Sequence, residues 1–224
     1  MFGVFHRLFG GSERSRLGEF TGDIGPSNTN LATSQDYETY FDAFVSSVSA
    51  ILYEASGRES GNAPKIVDLM ITSFRALYSA HNITTNERSY RPVFGALLPD
   101  LSVLVPGRYL NQNQKDGGSS VRYFSDEEVM EFQYALTAII ARELAGAGVP
   151  EKKNWSRCGD AVFDIAMLFD SQNEMSSPAL PNAFAPMMLL ADEQNELVWP
   201  DEFVEHHEHA FGVVDDFFER FFEA

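Results

Sequence analysis

Cysteine is nearly absent: Cys158 is the single one in 224 residues. That excludes an intramolecular disulfide and a thiolate metal cluster, so packing alone must hold the fold, and a reducing compartment, the cytoplasm, is expected. Basic side chains are scarce too, with 16 Lys and Arg against 33 Asp and Glu for a net charge of −17. Affinity for a nucleic-acid backbone comes largely from Lys and Arg displacing counterions from phosphates, so direct nucleic-acid binding is not expected. Long apolar runs are missing as well. Residues 1–9 are apolar but broken by His6 and Arg7, too short to cross a bilayer and not preceded by a basic region. Neither a transmembrane segment nor a secretion signal is therefore expected.

The common catalytic signatures are missing. There is no phosphate-cradling glycine loop ending in Lys and Ser or Thr, no dinucleotide glycine fingerprint, no Gly-x-Ser-x-Gly elbow and no zinc-protease histidine pair. Cys158 follows Arg157, which could stabilise a thiolate, but no cysteine-protease signature surrounds it and it reads as a structural thiol. No cofactor is expected, and the balance leans away from an enzyme.

What is present suffices for a core, since 44% of residues are hydrophobic and 13% aromatic, with 22% charged. Residues 1–30 hold Gly3, Gly10, Gly11, Gly18, Gly22, Gly25 and Pro26 beside Arg7, Arg14 and Arg16, a flexible basic, Gly-rich arm ahead of one domain over 31–224. Tyr37, Tyr40, Phe41, Phe44, Val48, Ile51 and Leu52 step by threes and fours and predict a helix over 36–52. Pro64 suits a first helical turn, and the same period through Val67, Met70, Ile71, Phe74, Leu77 and Tyr78 predicts a second helix over 64–81, in a hairpin with the first.

Pro92, Pro99 and Pro106 then dissolve the helical period into short extended pieces, followed by a polar Gly-rich loop over 111–120 and a brief strand at 121–124. Ser125 and Glu128 form a capping box, with Asp126 and Glu127 at the positive end of a helix that runs through Leu144. A short apolar helix over 160–170, a connector over 175–186, a turn of helix at 187–191 and a last helix from after Pro200 to Phe222 complete the expectation. The predicted fold is mainly α, an irregular multi-helix bundle with room for a small β element around residues 93–124.

Charge is distributed unevenly. Residues 158–224 contain Arg220 alone against 15 acidic side chains, so they carry −14 of the −17. A one-sided field of this kind steers a cationic partner, and the acidic C-terminal third, through Glu205, Glu208, Asp215, Asp216 and Glu219 with Phe218 and Phe222 as aromatic anchors, is the expected partner-binding surface. Three of the five histidines also fall there, in residues 202–209. On a continuous helix His207 joins the apolar face and reads as a core histidine, whereas Glu202, His206, His209 and Asp216 share a flank and could converge on a zinc, iron or manganese ion. Asp160 and Asp164, one turn apart, could add ligands from a neighbouring helix. Arg220 extends the same flank and opposes a cation there.

The expected function is a non-enzymatic acidic protein that neutralises or sequesters a basic protein partner, of the immunity-protein, inhibitor or effector-chaperone type. The alternatives are a metal-dependent helical enzyme built on Glu202, His206 and His209, and an assembly subunit whose aromatic C-terminal helix docks on copies of itself as a homo-oligomer.

Overall fold

The computed structural model describes residues 31–32, 37–57, 67, 90–100, 102–109, 122–146, 150–170, 174–201 and 204–223. The basic arm, most of the predicted 64–81 helix and the 111–120 loop lie outside these residues. Val67 alone of that second helix is described, helical and fully buried.

The fold is a mixed sheet covered by helices, not a helix bundle, which corrects the mainly α expectation. The strands are β1 (Leu31–Ala32), β2 (Arg91–Leu97), β3 (Val103–Leu104), β4 (Tyr123–Phe124), β5 (Ala185–Ala191) and β6 (Leu197–Pro200). Their spatial order is β1-β3-β2-β5-β6-β4, with the outer pairs β1–β3 and β4–β6 parallel and the inner ones antiparallel. Four described helices accompany them: α1 (Tyr37–Ser56), α2 (Asp126–Leu144), α3 (Trp155–Phe169) and α4 (Ala210–Glu223).

The centre of the sheet is the β2–β5 ladder, paired from Arg91–Ala191 to Leu97–Ala185. All seven residues of β5 are buried. Alternate residues enter two separate clusters. Phe94, Ala96, Met188, Leu190 and Val198 join the core formed with the helices, while Val93, Leu97, Met187, Leu189, Ala191 and Trp199 form a second cluster with Val105 and Tyr109 on the opposite face. A strand buried on both faces has no polar alternation, and residues 187–191, expected as a turn of helix, are strand for this reason.

The prolines that suggested irregular chain sit inside the sheet at permitted places. The Leu98 amide donates to Ser102 O at 2.9 Å, so the even-numbered amides of β2 face β3. Pro92 lacks its N–H on that side, beyond the reach of the Ala96–Leu104 and Leu97–Val103 pairs. Pro186 repeats the arrangement on β5. The even-numbered side there faces β6, as the Asp192 amide shows by donating to Glu196 O at 3.1 Å, and β6 pairs only with Leu190 and Ala191. The β5–β6 turn is closed by Asp192, whose Oδ1 accepts from the amides of Gln194 and Glu196, and by Asn195 at a φ of 63°.

On the helical face α1 buries Tyr37, Tyr40, Phe44, Val48 and Leu52, the stripe its period predicts. Phe44 stacks on Phe94 with ring centroids 4.7 Å apart and also meets Phe169 of α3 at 5.2 Å, so one side chain joins sheet and helices. Helix α2 begins where Ser125 predicts, with the Glu128 carboxylate accepting from the Ser125 amide at 2.9 Å and hydroxyl at 3.0 Å. Helix α3 starts five positions earlier than the predicted 160, at Trp155, and α4 starts at Ala210 instead of just after Pro200.

A strand buried on both faces makes a specific prediction. Leu189→Ala and Leu190→Ala, adjacent but in different cores, should each lower unfolding free energy in denaturant titration by roughly 2 to 5 kcal/mol. A one-faced strand, or an exposed turn of helix, would show a large loss at one of the two positions only.

Candidate functional site

The residues between β6 and α4 do not continue a helix upstream of Ala210. Turns occupy His206–His209, so the helical register that would align Glu202, His206, His209 and Asp216 is missing. Glu202 lies outside the described residues. His206 is 4% exposed and sits beside Asp170, His209 Nε2 is 3.8 Å from Asp126 Oδ2, and Asp216 accepts from Arg220 Nε at 2.9 Å. Among the described residues no group of three or more His, Cys, Asp and Glu gathers as metal ligands would.

The polar feature that organises this region instead is Asp170, the residue closing α3. Its Oδ1 accepts from the His206 amide at 2.8 Å and lies 3.3 Å from His206 Nδ1, and its Oδ2 contacts His207 Nδ1 at 2.5 Å. Gln133, fully buried on α2, donates through Nε2 to the His206 carbonyl. The turn is thereby fastened to two helices at once. Burial would raise the Asp170 carboxyl, but hydrogen bonds and charge from His206 and His207 outweigh it and hold it below the usual carboxylate range.

A carboxylate orienting a partly exposed histidine is one half of a general-base arrangement, which needs a nucleophile on the other nitrogen. Among the described residues His207 has no polar contact except Asp170, and its ring meets Phe163 edge-on at 5.7 Å. Cys158 is no substitute. It is buried, its thiol points to Thr137 O at 3.7 Å, and burial pushes its pKa well up, against thiolate formation. The cluster is a clamp that sets where α4 begins.

Helix α4 then presents two faces. Ala210, Val213, Val214, Phe217 and Phe218 are buried, whereas Phe211, Asp215, Glu219 and Phe222 follow one another at steps of three and four along the outside, with Glu208 exposed in the turn just before the helix. Phe218, expected as a binding anchor, is instead core: it is fully buried and stacks on Trp155 at 5.4 Å. Phe222 is 42% exposed, and Phe211 is 48% exposed and stacks on Phe163 at 5.2 Å. Glu205 is exposed just before the His206–His209 turn, and Asp215 Oδ1 accepts from Trp155 Nε1 at 2.7 Å. Among the described residues Glu205, Glu208 and Glu219 have no ion-pair partner, whereas Asp216 is neutralised locally by Arg220.

Asp160 and Asp164 lie on α3, away from the His206 turn in their contacts. Burial, then the charges of Asp160 and Glu54, push Asp164 up to about 6. Comparison of the chain with protein-family models, curated proteins and solved structures returns no match.

Two carboxylates with opposite shifts give opposite pH signatures. Asp170 is held low in the fold, so its contribution is present above the unfolded carboxylate pKa and is lost as pH falls through the lower folded one. Asp170→Ala should cost about 2 to 4 kcal/mol at pH 7, leaving the His206 amide unpaired, and much less in strong acid. Asp164 is raised, so its protonated form favours the fold and stability declines as pH rises from the ordinary 3.8 through about 6. Asp164→Asn should stabilise by on the order of 1 kcal/mol at pH 8, discounted for partial exposure, and by nothing at pH 3.5. Thermal melts of both variants across pH check the two signs.

Proposed function

We propose that this chain is an acidic, non-enzymatic binding protein that neutralises or sequesters a basic protein, with the outer stripe of α4 as its contact surface. The observation that carries the reading is the stripe itself: Phe211 and Phe222, 48% and 42% exposed, flank the carboxylates of Asp215 and Glu219 on α4, with Glu208 exposed in the turn just before the helix. Aromatic side chains supply contact area at low entropic cost, and surrounding charge of one sign sets partner choice and encounter rate. The −14 carried by residues 158–224 places most of the net charge in the segment that contains this helix.

Further support comes from how the stripe is held. Phe217 and Phe218 anchor α4 inward, so the outward side chains project from a rigid helix and little ordering is needed on binding. Among the described residues no helix is long and apolar enough to cross a membrane, and nothing in this reading requires one.

The test uses charge reversal at Glu205, Glu208 and Glu219, which sit outside the core and outside the Asp215–Trp155 and Asp216–Arg220 contacts. A partner co-purified from the native host should be a basic protein. Its association rate with the triple Lys variant should fall by roughly 10-fold or more at low salt, with the wild-type rate also declining as salt rises. Phe211→Ala should act differently, raising the dissociation rate. A partner without basic character, or binding insensitive to both the reversal and salt, would overturn the reading.

A further inference from the structure

The surface beside α4 that faces the start of α3 has chemistry opposite to the acidic stripe. A cleft of about 470 Å³ opens there, within the size range of small-molecule sites. One wall is apolar, formed by Trp155, Phe211 and Val214, with Gly159 between them contributing no side chain. A Cβ on Gly159 would lie 3.2 Å from Phe211 Cδ1, so the glycine is what lets the Phe211 ring lie against the backbone of α3. The rest of the lining is polar, with Lys152, Lys153 and Ser156.

The lysines are conspicuous on the scale of the whole chain. Only four occur in 224 residues, Lys65, Lys115, Lys152 and Lys153, and the two adjacent ones both line this cleft. Lys153 is paired with Glu151, while Lys152 has no ion-pair partner among the described residues. The one carboxylate in the lining, Asp215, is turned to the Trp155 indole N–H, which fixes the indole as a flat wall. The first turn of α3 adds partial positive charge of the same sign as the lysines.

From this juxtaposition we infer that the cleft binds a small amphipathic organic anion, an aromatic or aliphatic carboxylate whose charged end meets Lys152, Lys153 and Ser156 and whose apolar body lies between Trp155 and Phe211. The inference does not rest on the basic-partner reading, because the charge it requires of the ligand is the reverse. A carboxylate is the acceptor that two ammonium groups and a hydroxyl complement, and a flat or extended apolar body is what the indole and phenyl walls accommodate.

The experiment titrates the full chain, with its tryptophans labelled at the indole nitrogen, against 1-naphthylacetate and, separately, against the neutral 2-(1-naphthyl)ethanol. Trp155 and Trp199 give two indole signals, assigned by Trp155→Phe, and Trp199 in the second core serves as the internal control. The acid should shift the Trp155 signal saturably and leave Trp199 in place. The alcohol should bind about tenfold more weakly or worse, as loss of a charge-assisted contact requires. Lys152→Glu with Lys153→Glu, both exposed positions, should weaken the acid by at least that factor while melting like wild type, and Phe211→Ala should weaken acid and alcohol together. Equal binding of acid and alcohol, an acid affinity unchanged in the double Lys variant, or no saturable shift of Trp155 up to the solubility of the acid would each overturn the inference.

Discussion

Everything else in this fold depends on two strands that are buried on both sides. The ladder from Arg91–Ala191 to Leu97–Ala185 places Phe94, Ala96, Met188 and Leu190 under the helices and Val93, Met187 and Leu189 under the opposite cluster. Each residue of such a strand removes its apolar surface from water while its backbone groups are satisfied by the neighbouring strand, at roughly 25 cal/mol per Å² of apolar area buried. Helix α1 then has one available seat, over Phe94, which Tyr37, Phe41 and Phe44 surround with centroid distances of 5.9, 5.5 and 4.7 Å. Through Phe44 and Phe169 that seat also positions α3, and α3 carries α2 and α4. Pro92 and Pro186 are accommodated because the ladder's neighbours, β3 and β6, stop short of them.

Within the helical layer a polar clamp determines where the last helix starts. The His206–His209 turn must enter a largely apolar environment, which leaves amide and imidazole groups in need of partners. Asp170, at the end of α3, accepts from the His206 amide and meets the His207 imidazole, and Gln133 of α2 donates to the His206 carbonyl. One carboxylate facing two histidines and an amide is a directional constraint, unlike the phenylalanine contacts around it, and it resists rotation of α4 about its axis. The consequence is which side chains α4 turns outward. Rotating α4 by one residue, about 100°, would turn Phe211, Asp215 and Glu219 away from their present outward line.

Legibility in the sequence followed period and caps. Helices α1 and α2 were readable because their apolar residues recur at 3.6 and because Ser125 and Glu128 mark a start with a specific geometry. Strand β5 was not, because a short run that is apolar throughout has no period, and Met, Leu and Ala favour helix in isolation. Strand β2 was obscured by Pro92, whose tolerance depends on how far a strand from elsewhere in the chain extends. The C-terminal charge could be counted directly, and Glu205, Glu208 and Glu219 are exposed in the structure. Separating Phe218 from Phe211 needed more: both fall within one broad helical face, and only the positions of Trp155 and Phe163, more than 40 residues upstream, decide which is covered. The cleft is invisible for the same reason, since its walls come from the 152–159 and 211–215 segments.

A cleft suited to an anion on a chain of net charge −17 involves no electrostatic contradiction. At physiological ionic strength exposed charges are screened beyond about 8 Å, so a ligand in the cleft responds to the few groups within that radius and not to the sum over the molecule. Inside the radius are two ammonium groups and the positive end of a helix, opposed by Glu151, which pairs with Lys153, and by Asp215, whose lone pairs are partly occupied by the indole N–H. The long-range field acts earlier, on encounter: it slows the approach of anions and hastens that of cations. On the two readings proposed above, a small carboxylate would associate slowly and be retained by the apolar walls, while a basic macromolecule would be drawn to the outer stripe. Phe211 borders both surfaces, its one edge toward the cleft and its exposed area in the stripe, so α4 separates two chemistries of opposite sign by the width of a single aromatic ring.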